Sequence, residues 1–439
     1  LPIRGGNRGN AGNAGLGALN LNNARGNSNS NIGCRPALGG TARSSGLKGP
    51  VPAPSQKDPA SSAKRRKLNR RSRTSRATDR PAPPTQHLVV LMAKTYNNLL
   101  PAIYDYGALY AAYKRARRGK RHTAEVVRFE AHLEENLIQL QNELVWGQYR
   151  TGPYRHFHVF EPKKRLVAAL PFRDRVAQHA MIAAIEPIWE ARFHHDSYAC
   201  RPGKGTHHGA DRVQAMLRRV KRKHGRVYAL KADVAKYFPS VDHAVLKGLL
   251  AKRIACQPTL DLLHEVIDSW EDGPGCGIPI GNLTSQLFAN IYLHELDRYA
   301  KESLRERHYL RYMDDFAIIH HDKAHLHRIR QDIEGFLWER LRLETNHKTQ
   351  VFPVRPVGGR PLDFLGYRIW PTHRRVRKDS VRRMRRRLRW MQREYAAGRI
   401  GLAEIRPRIQ SWLSHAGHAD SHRLRSEVMK EAVFRRPSC

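Results

Sequence analysis

The fold is decided by the stretch Leu310-Arg311-Tyr312-Met313-Asp314-Asp315-Phe316-Ala317-Ile318-Ile319. Apolar and aromatic residues, which favour strands, flank a short polar centre that favours a turn. The pattern predicts a β-hairpin with Asp314 and Asp315 at its tip. Two adjacent carboxylates repel each other unless a cation lies beside them, and a divalent metal is the obvious candidate, although a plain solvated turn is the alternative. Because neighbouring strand residues face opposite ways, we expect a direct role for Asp314 and a weaker one for Asp315.

The composition indicates a polyanionic partner. The chain has 439 residues, with 79 Lys+Arg against 39 Asp+Glu, and a formal net charge of +40. A charge of this size favours nucleic acid over a membrane surface. The five cysteines form no CxxC pair, so the sequence predicts neither zinc fingers nor a disulfide framework, which suits a reducing cytoplasm. No apolar run approaches the ~18 residues of a membrane span, and we expect no membrane partner.

The first part of the chain differs in composition from the rest. Residues 1–86 are rich in Asn and Gly, then in Pro, Ser and Arg, and they lack the apolar periodicity that a packed core requires. We expect this tail to be disordered, either as a basic arm for RNA or as a segment with no role as protein. The first methionine is Met92, where a helical pattern begins, so we expect the working protein to start near it.

The order of predicted elements gives an α+β chain with three further regions. Residues 87–225 contain helices, a strand pair over 155–160 and 164–170, a helix over 176–193, and a basic glycine-rich loop. Residues 226–370 contain strands over 227–233 and 362–369, a helix that starts from the turn-rich loop 277–286 and runs to about Glu302, and a helix over 329–343. Residues 371–439 contain a helix dense in arginine over 374–393, which suits a duplex backbone.

A further acidic residue lies at the end of another predicted strand. The strand that begins at Val227 ends in Asp233, before a turn towards a helix. Carboxylates at the ends of neighbouring strands can share two Mg²⁺ ions roughly 3.5–4 Å apart, with Mn²⁺ as a substitute. Such a site activates a primer 3′-hydroxyl and holds a triphosphate.

These residues together resemble a reverse transcriptase of the prokaryotic, group II intron-related type. The resemblance covers about residues 92–430 and rests on several motifs in the family's order. They are Arg173 to His179, Cys200-Arg201-Pro202-Gly203, Asp233 to Phe238, Tyr312-Met313-Asp314-Asp315, Lys348, and Phe364-Leu365-Gly366-Tyr367. The resemblance implies a right-hand polymerase fold with fingers, a palm carrying an antiparallel sheet, and a helical thumb.

The resemblance also implies roles for individual residues. Metal ions would be bound by Asp233, Val234, Asp314 and Asp315, with Lys348 assisting the leaving pyrophosphate. The incoming dNTP would be contacted by Arg201, Phe238 (as steric gate against a 2′-hydroxyl) and Gln286. The template would be contacted by Ile280, Gly281 and Ser285. The primer grip would consist of Phe364, Leu365, Gly366 and Tyr367.

One loop departs from the commonest pattern of that family. Where group II-type enzymes usually carry Gln-Gly and later Ser-Pro, this chain has Ile280-Gly281 and Ser285-Gln286. The variant resembles the reverse transcriptases of diversity-generating retroelements, which misincorporate opposite template adenines. Residues 1–40, with their many Asn codons, would then be largely a translated template repeat. This subtype implies a prokaryotic or phage-encoded cytoplasmic enzyme with template RNA, primer, cDNA duplex, and a small basic ring-forming accessory protein as partners.

Two other classes stay open. A group II intron-like or defence-associated reverse transcriptase would share the motifs. A catalytically inactive RNA-binding polymerase fold would share the charge, but it would have no use for clustered carboxylates facing a polyanion.

Overall fold

A computed structural model describes residues 94–160 and 164–436. The predicted disordered tail over 1–86, its interpretation as a template repeat over 1–40, and the expected start at Met92 all lie outside these residues. The boundaries of the predicted fingers, palm and thumb regions stay predictions.

The described part of the chain begins with helices, most of which pack around one long central helix. Their apolar residues recur every three to four positions and are buried, as in Leu109 and Leu137. The Asp105 side chain accepts a hydrogen bond from the amide of Ala108 and caps the second helix. The helices are α1 (Leu100–Tyr104), α2 (Tyr106–Ala116), α3 (Ala124–Ala131), α4 (Leu133–Val145), α5 (Phe172–Glu190) and α6 (Thr206–His224). The hairpin of β1 (Arg155–Val159) and β2 (Arg165–Ala169) interrupts this series, as predicted.

A four-stranded antiparallel sheet follows, in the order β4-β5-β3-β6. Its strands are β3 (Tyr228–Asp233), β4 (Tyr309–Tyr312), β5 (Asp315–His320) and β6 (Gln350–Pro353). Helices α7 (His243–Ala251), α8 (Gln257–Asp268), α9 (Leu283–Arg298) and α10 (Lys323–Leu341) belong to the same part of the chain. The mixed helices and antiparallel sheet confirm the predicted α+β class.

The last part of the chain differs from the prediction in detail. Two strands, β7 (Leu362–Phe364) and β8 (Tyr367–Ile369), occupy the stretch where one was expected. They are separated by a tight turn at Leu365 (φ 52°) and Gly366 (φ 85°). The predicted start of the basic helix is a third strand, β9 (Arg374–Val376), because it pairs with β8. The helices are α11 (Lys378–Ala396), α12 (Leu402–Gly417) and α13 (His422–Lys430).

The buried apolar residues form three clusters. The largest joins α1–α5 and α7–α10 to one face of the four-stranded sheet, and a second joins α6 to the opposite face and to the three-stranded sheet. The third joins α11–α13 to Val376 of β9 and includes Met384, Leu388 and Trp412. Within residues 94–160 and 164–436, no helix combines the length and the apolar character needed to cross a membrane.

Candidate polymerase site

The predicted hairpin exists, and its tip is a two-residue turn. Tyr312 pairs with Asp315 across β4 and β5, which leaves Met313 and Asp314 as the turn itself. Met313 has a φ of 56°, a left-handed conformation that a residue with a Cβ adopts at an energetic cost. Strained backbone of this kind persists where surrounding contacts hold it.

The second acid lies directly beside this turn. Asp233 ends β3 and pairs in register with Asp315, and the amide of Val234 donates to the carbonyl of Asp314 over 3.2 Å. A hydrogen bond links the carboxyl groups of Asp233 and Asp314. Burial, and then the negative charge of Asp233, raise the pKa of Asp314 to about 6. The two acids that the sequence placed in separate strands therefore meet.

Asp315 faces a different neighbour. Its Oδ1 is 3.5 Å from the ammonium of Lys231 and has no hydrogen-bond partner among the residues that the structure describes. Burial raises the pKa of Asp315 to about 7, although the positive charge of Lys231 acts in the opposite direction. Asp314, in the turn, contacts Asp233, whereas Asp315, the first residue of β5, lies beside Lys231.

The oxygen donors at this site suit an Mg²⁺ ion that keeps part of its water shell. They do not suit a metal whose ligands all come from the protein. In the described part of the chain, no three His, Cys, Asp or Glu side chains gather into a metal cage. Mg²⁺ keeps several waters and is often held by one or two carboxylates together with substrate phosphates. The Asp233–Asp314 pair supplies oxygen ligands only, and a bound cation would offset the burial and the repulsion that raise the pKa of Asp314. The buried Val234 lies next to this pair, as a backbone ligand would.

Two further predicted residues lie near the acids. Phe238 is partly buried at the start of a short 3-10 helix, five positions after Asp233. Lys348 is exposed in a turn whose Asn346 amide donates to the carbonyl of Asp233 over 2.6 Å. Both positions are compatible with the roles that the resemblance implies, and those roles stay predictions.

The predicted template loop rests on the β1–β2 hairpin. The Ile280 carbonyl accepts from the amide of Ala168 over 2.9 Å. Gly281 has a φ of 140°, and a Cβ added there would lie 2.4 Å from the Ala168 carbonyl oxygen. Gln286 keeps exposed surface, but Ser285 is only 1% exposed. The structure therefore does not support direct template contact by Ser285, because the start of α9 buries its side chain.

A substitution at Gly281 is expected to separate this loop from β2. Gly281→Ala should lower the free energy of unfolding by roughly 2–4 kcal/mol, since it combines a strained φ with a clash against backbone. Urea unfolding measures the loss. The matched control is Gly335→Ala, inside α10, where an added Cβ meets nothing within 4 Å. That variant should be stabilised by about 0.5–1 kcal/mol, and equal effects at both positions would contradict the docking.

Arg201, which is predicted to contact the triphosphate, is bound by protein groups in this structure, and the predicted contact stays a prediction. Its guanidinium forms a bidentate ion pair with Glu190 and donates to the carbonyls of His194 and Ser197. The side chain is only 6% exposed. Every nitrogen of the guanidinium is engaged, so Arg201 holds the end of α5 to the following loop.

The side chains of the predicted primer grip form part of the core, and the contact of these residues with a primer stays a prediction. Phe364 and Tyr367 are 0% exposed and Leu365 is 7% exposed; Gly366 is likewise buried. The Tyr367 hydroxyl donates to the carbonyl of His415 over 2.9 Å and so joins β8 to α12. Through the Tyr367 hydroxyl, this turn is connected to α12.

One residue near the acids was missed by the sequence reasoning. Arg165, exposed at the start of β2, carries a charge that acts to lower the pKa of Asp314. The sequence offered only a weak indication, a Lys-Arg pair before an apolar run. Only the folded hairpin brings this arginine towards an acid 149 positions later (314 − 165).

Comparison with known proteins agrees with this geometry. Residues 160–369 match the family described as reverse transcriptase (RNA-dependent DNA polymerase). Protein YkfC of Escherichia coli (strain K12) is 30% identical over 280 residues, which cover 55% of this chain and 72% of that protein. Group II intron-encoded protein LtrA of Lactococcus lactis subsp. cremoris is 26% identical over 248 residues, which cover 53% of this chain and 40% of LtrA.

Solved structures give a weaker likeness. Apo telomerase from Candida tropicalis has a TM-score of 0.41 at 13% identity, and the match covers 70% of this chain and 65% of that one. The same telomerase truncated from its C-terminal domain has a TM-score of 0.40 at 15% identity, covering 52% and 55% of the two chains.

Proposed function

The chain belongs to the reverse transcriptase family, and from that premise we propose that it is an active polymerase that copies a template-repeat RNA into cDNA for a diversity-generating retroelement. The observation that carries the activity is the direct contact between the carboxyl groups of Asp233 and Asp314. An RNA-binding protein without catalysis would be destabilised by such a pair and would gain nothing from it.

Asp233 and Asp314 would hold two Mg²⁺ ions, with Asp315 and the Val234 carbonyl beside them. Bound Mg²⁺ (or Mn²⁺) lowers the pKa of a primer 3′-hydroxyl and neutralises the charge of the triphosphate and its leaving group. The protein's own contribution is placement, because the two strands fix the acids before substrate arrives. Phe238 would exclude a 2′-hydroxyl by bulk, and Arg165 and Lys348 would neutralise dNTP phosphates.

The retroelement subtype is supported by the loop that holds Ile280 and Gly281. The loop rests on β2, and it carries the apolar Ile280 at the position where the commoner enzymes have Gln. Without that amide, the nascent base pair would lose a polar contact that helps to discriminate between bases. We infer from this loss a polymerase that is error-prone at template adenines.

The relatives favour one alternative. LtrA is an intron-encoded protein, and Nuclear intron maturase 2 of Arabidopsis thaliana is 25% identical over 150 residues. A group II intron-like reverse transcriptase would copy its template without excess errors at adenines. Under either function we propose a prokaryotic or phage-encoded enzyme that works in the cytoplasm. The small basic ring-forming accessory protein is proposed only for the retroelement enzyme.

Sequencing of the cDNA separates these functions. The full chain is incubated with an RNA template, a DNA primer, dNTPs and Mg²⁺, with and without the candidate accessory protein. We expect extension, with misincorporation opposite adenines several-fold above that opposite other bases. Ile280→Gln should reduce this excess, and Ile318→Val, in the buried core of β5, serves as the matched control. Uniform errors would favour the intron-like enzyme, and no extension by the wild type would favour an inactive RNA-binding fold.

A further inference from the structure

One charged side chain beside the hairpin turn is completely buried. Arg311, in β4, and its partner Asp297, in α9, are both 0% exposed. Nε and Nη2 of Arg311 donate to the two carboxylate oxygens of Asp297, each over 2.7 Å. Burying such a pair carries a large desolvation cost, which good geometry and further hydrogen bonds must offset. The further hydrogen bonds of Arg311 therefore indicate which parts of the chain this buried ion pair holds together.

The other N–H groups of Arg311 connect three elements. Nη2 donates to the Ser197 hydroxyl over 3.1 Å, in the loop that follows α5. Nη1 donates to the side-chain carbonyl of Asn290 over 3.4 Å, in α9, and to the backbone carbonyl of Met313 over 3.0 Å. These contacts employ all five donors of the guanidinium. The last of them ties the hairpin turn to α9 and to the loop after α5.

The Met313 carbonyl belongs to the peptide that joins Met313 to Asp314. The N–H of that same peptide belongs to Asp314 itself, so the orientation of the peptide sets the direction in which the Asp314 side chain leaves the turn. Because a peptide group is planar, fixing its carbonyl also fixes the direction of its N–H. The positive φ of Met313 shows that this peptide is held in an orientation that the residue does not prefer by itself.

We propose that Arg311, anchored by Asp297, is a positioning residue that fixes the Asp314 carboxylate through the Met313–Asp314 peptide. The inference rests on the proposed polymerase function. Lysine cannot replace this arginine, because a single ammonium group cannot bind both Asp297 oxygens and reach the Met313 carbonyl.

Hydrogen exchange of the turn amides tests this proposal without metal, substrate or activity. In Arg311→Lys, the amides of residues 313–315 should exchange roughly tenfold faster, the size expected for one lost charge-assisted hydrogen bond. The matched control is Tyr309→Phe, which removes a 2.7 Å bond to the same Asp297 oxygen but leaves the contact with Met313. Both variants remove a hydrogen bond to the buried Asp297 carboxylate. Equal exchange rates of the amides of residues 313–315 in the two variants would therefore overturn the proposal.

Kinetics provide the second measurement. Arg311→Lys should lower kcat for primer extension by roughly tenfold or more at unchanged KM for dNTP, whereas Tyr309→Phe should stay within about twofold of the wild type. Equal kcat losses would assign Arg311 a purely structural role. If Arg311→Lys does not fold, the double variant Arg311→Met/Asp297→Leu, which removes both charges, replaces it with the same expectations. A wild type without primer extension would refute the proposed function, and the exchange comparison would still decide this inference.

Discussion

Replacing Asp314 by asparagine is expected to abolish primer extension. The carboxylate of Asp314 is in direct contact with that of Asp233 at the end of two neighbouring strands. Removing one metal ligand from such a site costs several kcal/mol of transition-state stabilisation, so the rate should fall by roughly 10³-fold or more. Single-turnover extension on a primed RNA template, at saturating Mg²⁺, measures this loss. Full activity in Asp314→Asn would refute the two-metal assignment.

The matched control is Asp332→Asn, which removes one carboxylate from the exposed face of α10 and should leave the rate within about twofold. A second readout separates lost chemistry from lost folding. Since the pKa of Asp314 is raised from 3.8 to about 6, the folded protein binds the proton more tightly than the unfolded chain. The contribution of Asp314 to the stability of the metal-free wild type should therefore fall as pH rises from about 4 to 6 and then level off.

Asp314→Asn should remove that decrease. At pH 7.5, without metal, the variant should be more stable than the wild type by roughly 2 kcal/mol. A rise in pKa from 3.8 to about 6 corresponds to ~3 kcal/mol, and the expected value is smaller because Asp314 is partly exposed to solvent. Thermal unfolding without metal at pH 4.5 and 7.5 provides the comparison. A variant that is both inactive and less stable than the wild type at pH 7.5 would indicate that the substitution damaged the fold.

Affinity for nucleic acid is expected to depend steeply on salt. The chain carries a formal net charge of +40, and α11 alone exposes Arg382, Arg386, Arg389 and Arg393. A protein that neutralises about 6–10 phosphates loses about 10³–10⁵ in affinity between about 50 and 200 mM salt, because bound counterions are released. Fluorescence anisotropy with an RNA–DNA duplex in KCl measures the slope. A slope near zero would mean that the charge does not contact the backbone.

Two double variants test which helix carries the positive charge that contacts nucleic acid. Arg386→Gln/Arg389→Gln should weaken binding and reduce the salt slope by about 2, one for each lost phosphate contact. The control, Arg222→Gln/Lys223→Gln, removes the same charge from the exposed end of α6. It should change the slope by less than about 1. Equal changes in the two double variants would show that α11 has no special part in binding.

The hairpin, the strand that ends in Asp233, and most helices follow from local patterns, because period and turn chemistry are local properties. Local patterns do not determine which groups a side chain contacts. Arg201 and Tyr367 lie in motifs with expected ligand contacts, but the fold uses Arg201 in an ion pair with Glu190 and buries Tyr367 between β8 and α12. No local pattern distinguishes an arginine that faces a ligand from one that holds a loop.

The sequence by itself determined the acids, their strands and the excess of positive charge. It also determined the family, because the motifs and their order can be recognised without any knowledge of how the chain packs. Only the tertiary structure decided that Asp233 touches Asp314, that the Gly281 loop rests on β2, and that Arg311 reaches the Met313 carbonyl. The reason is physical: these contacts join residues far apart in the chain, and burial sets both their geometry and their strength.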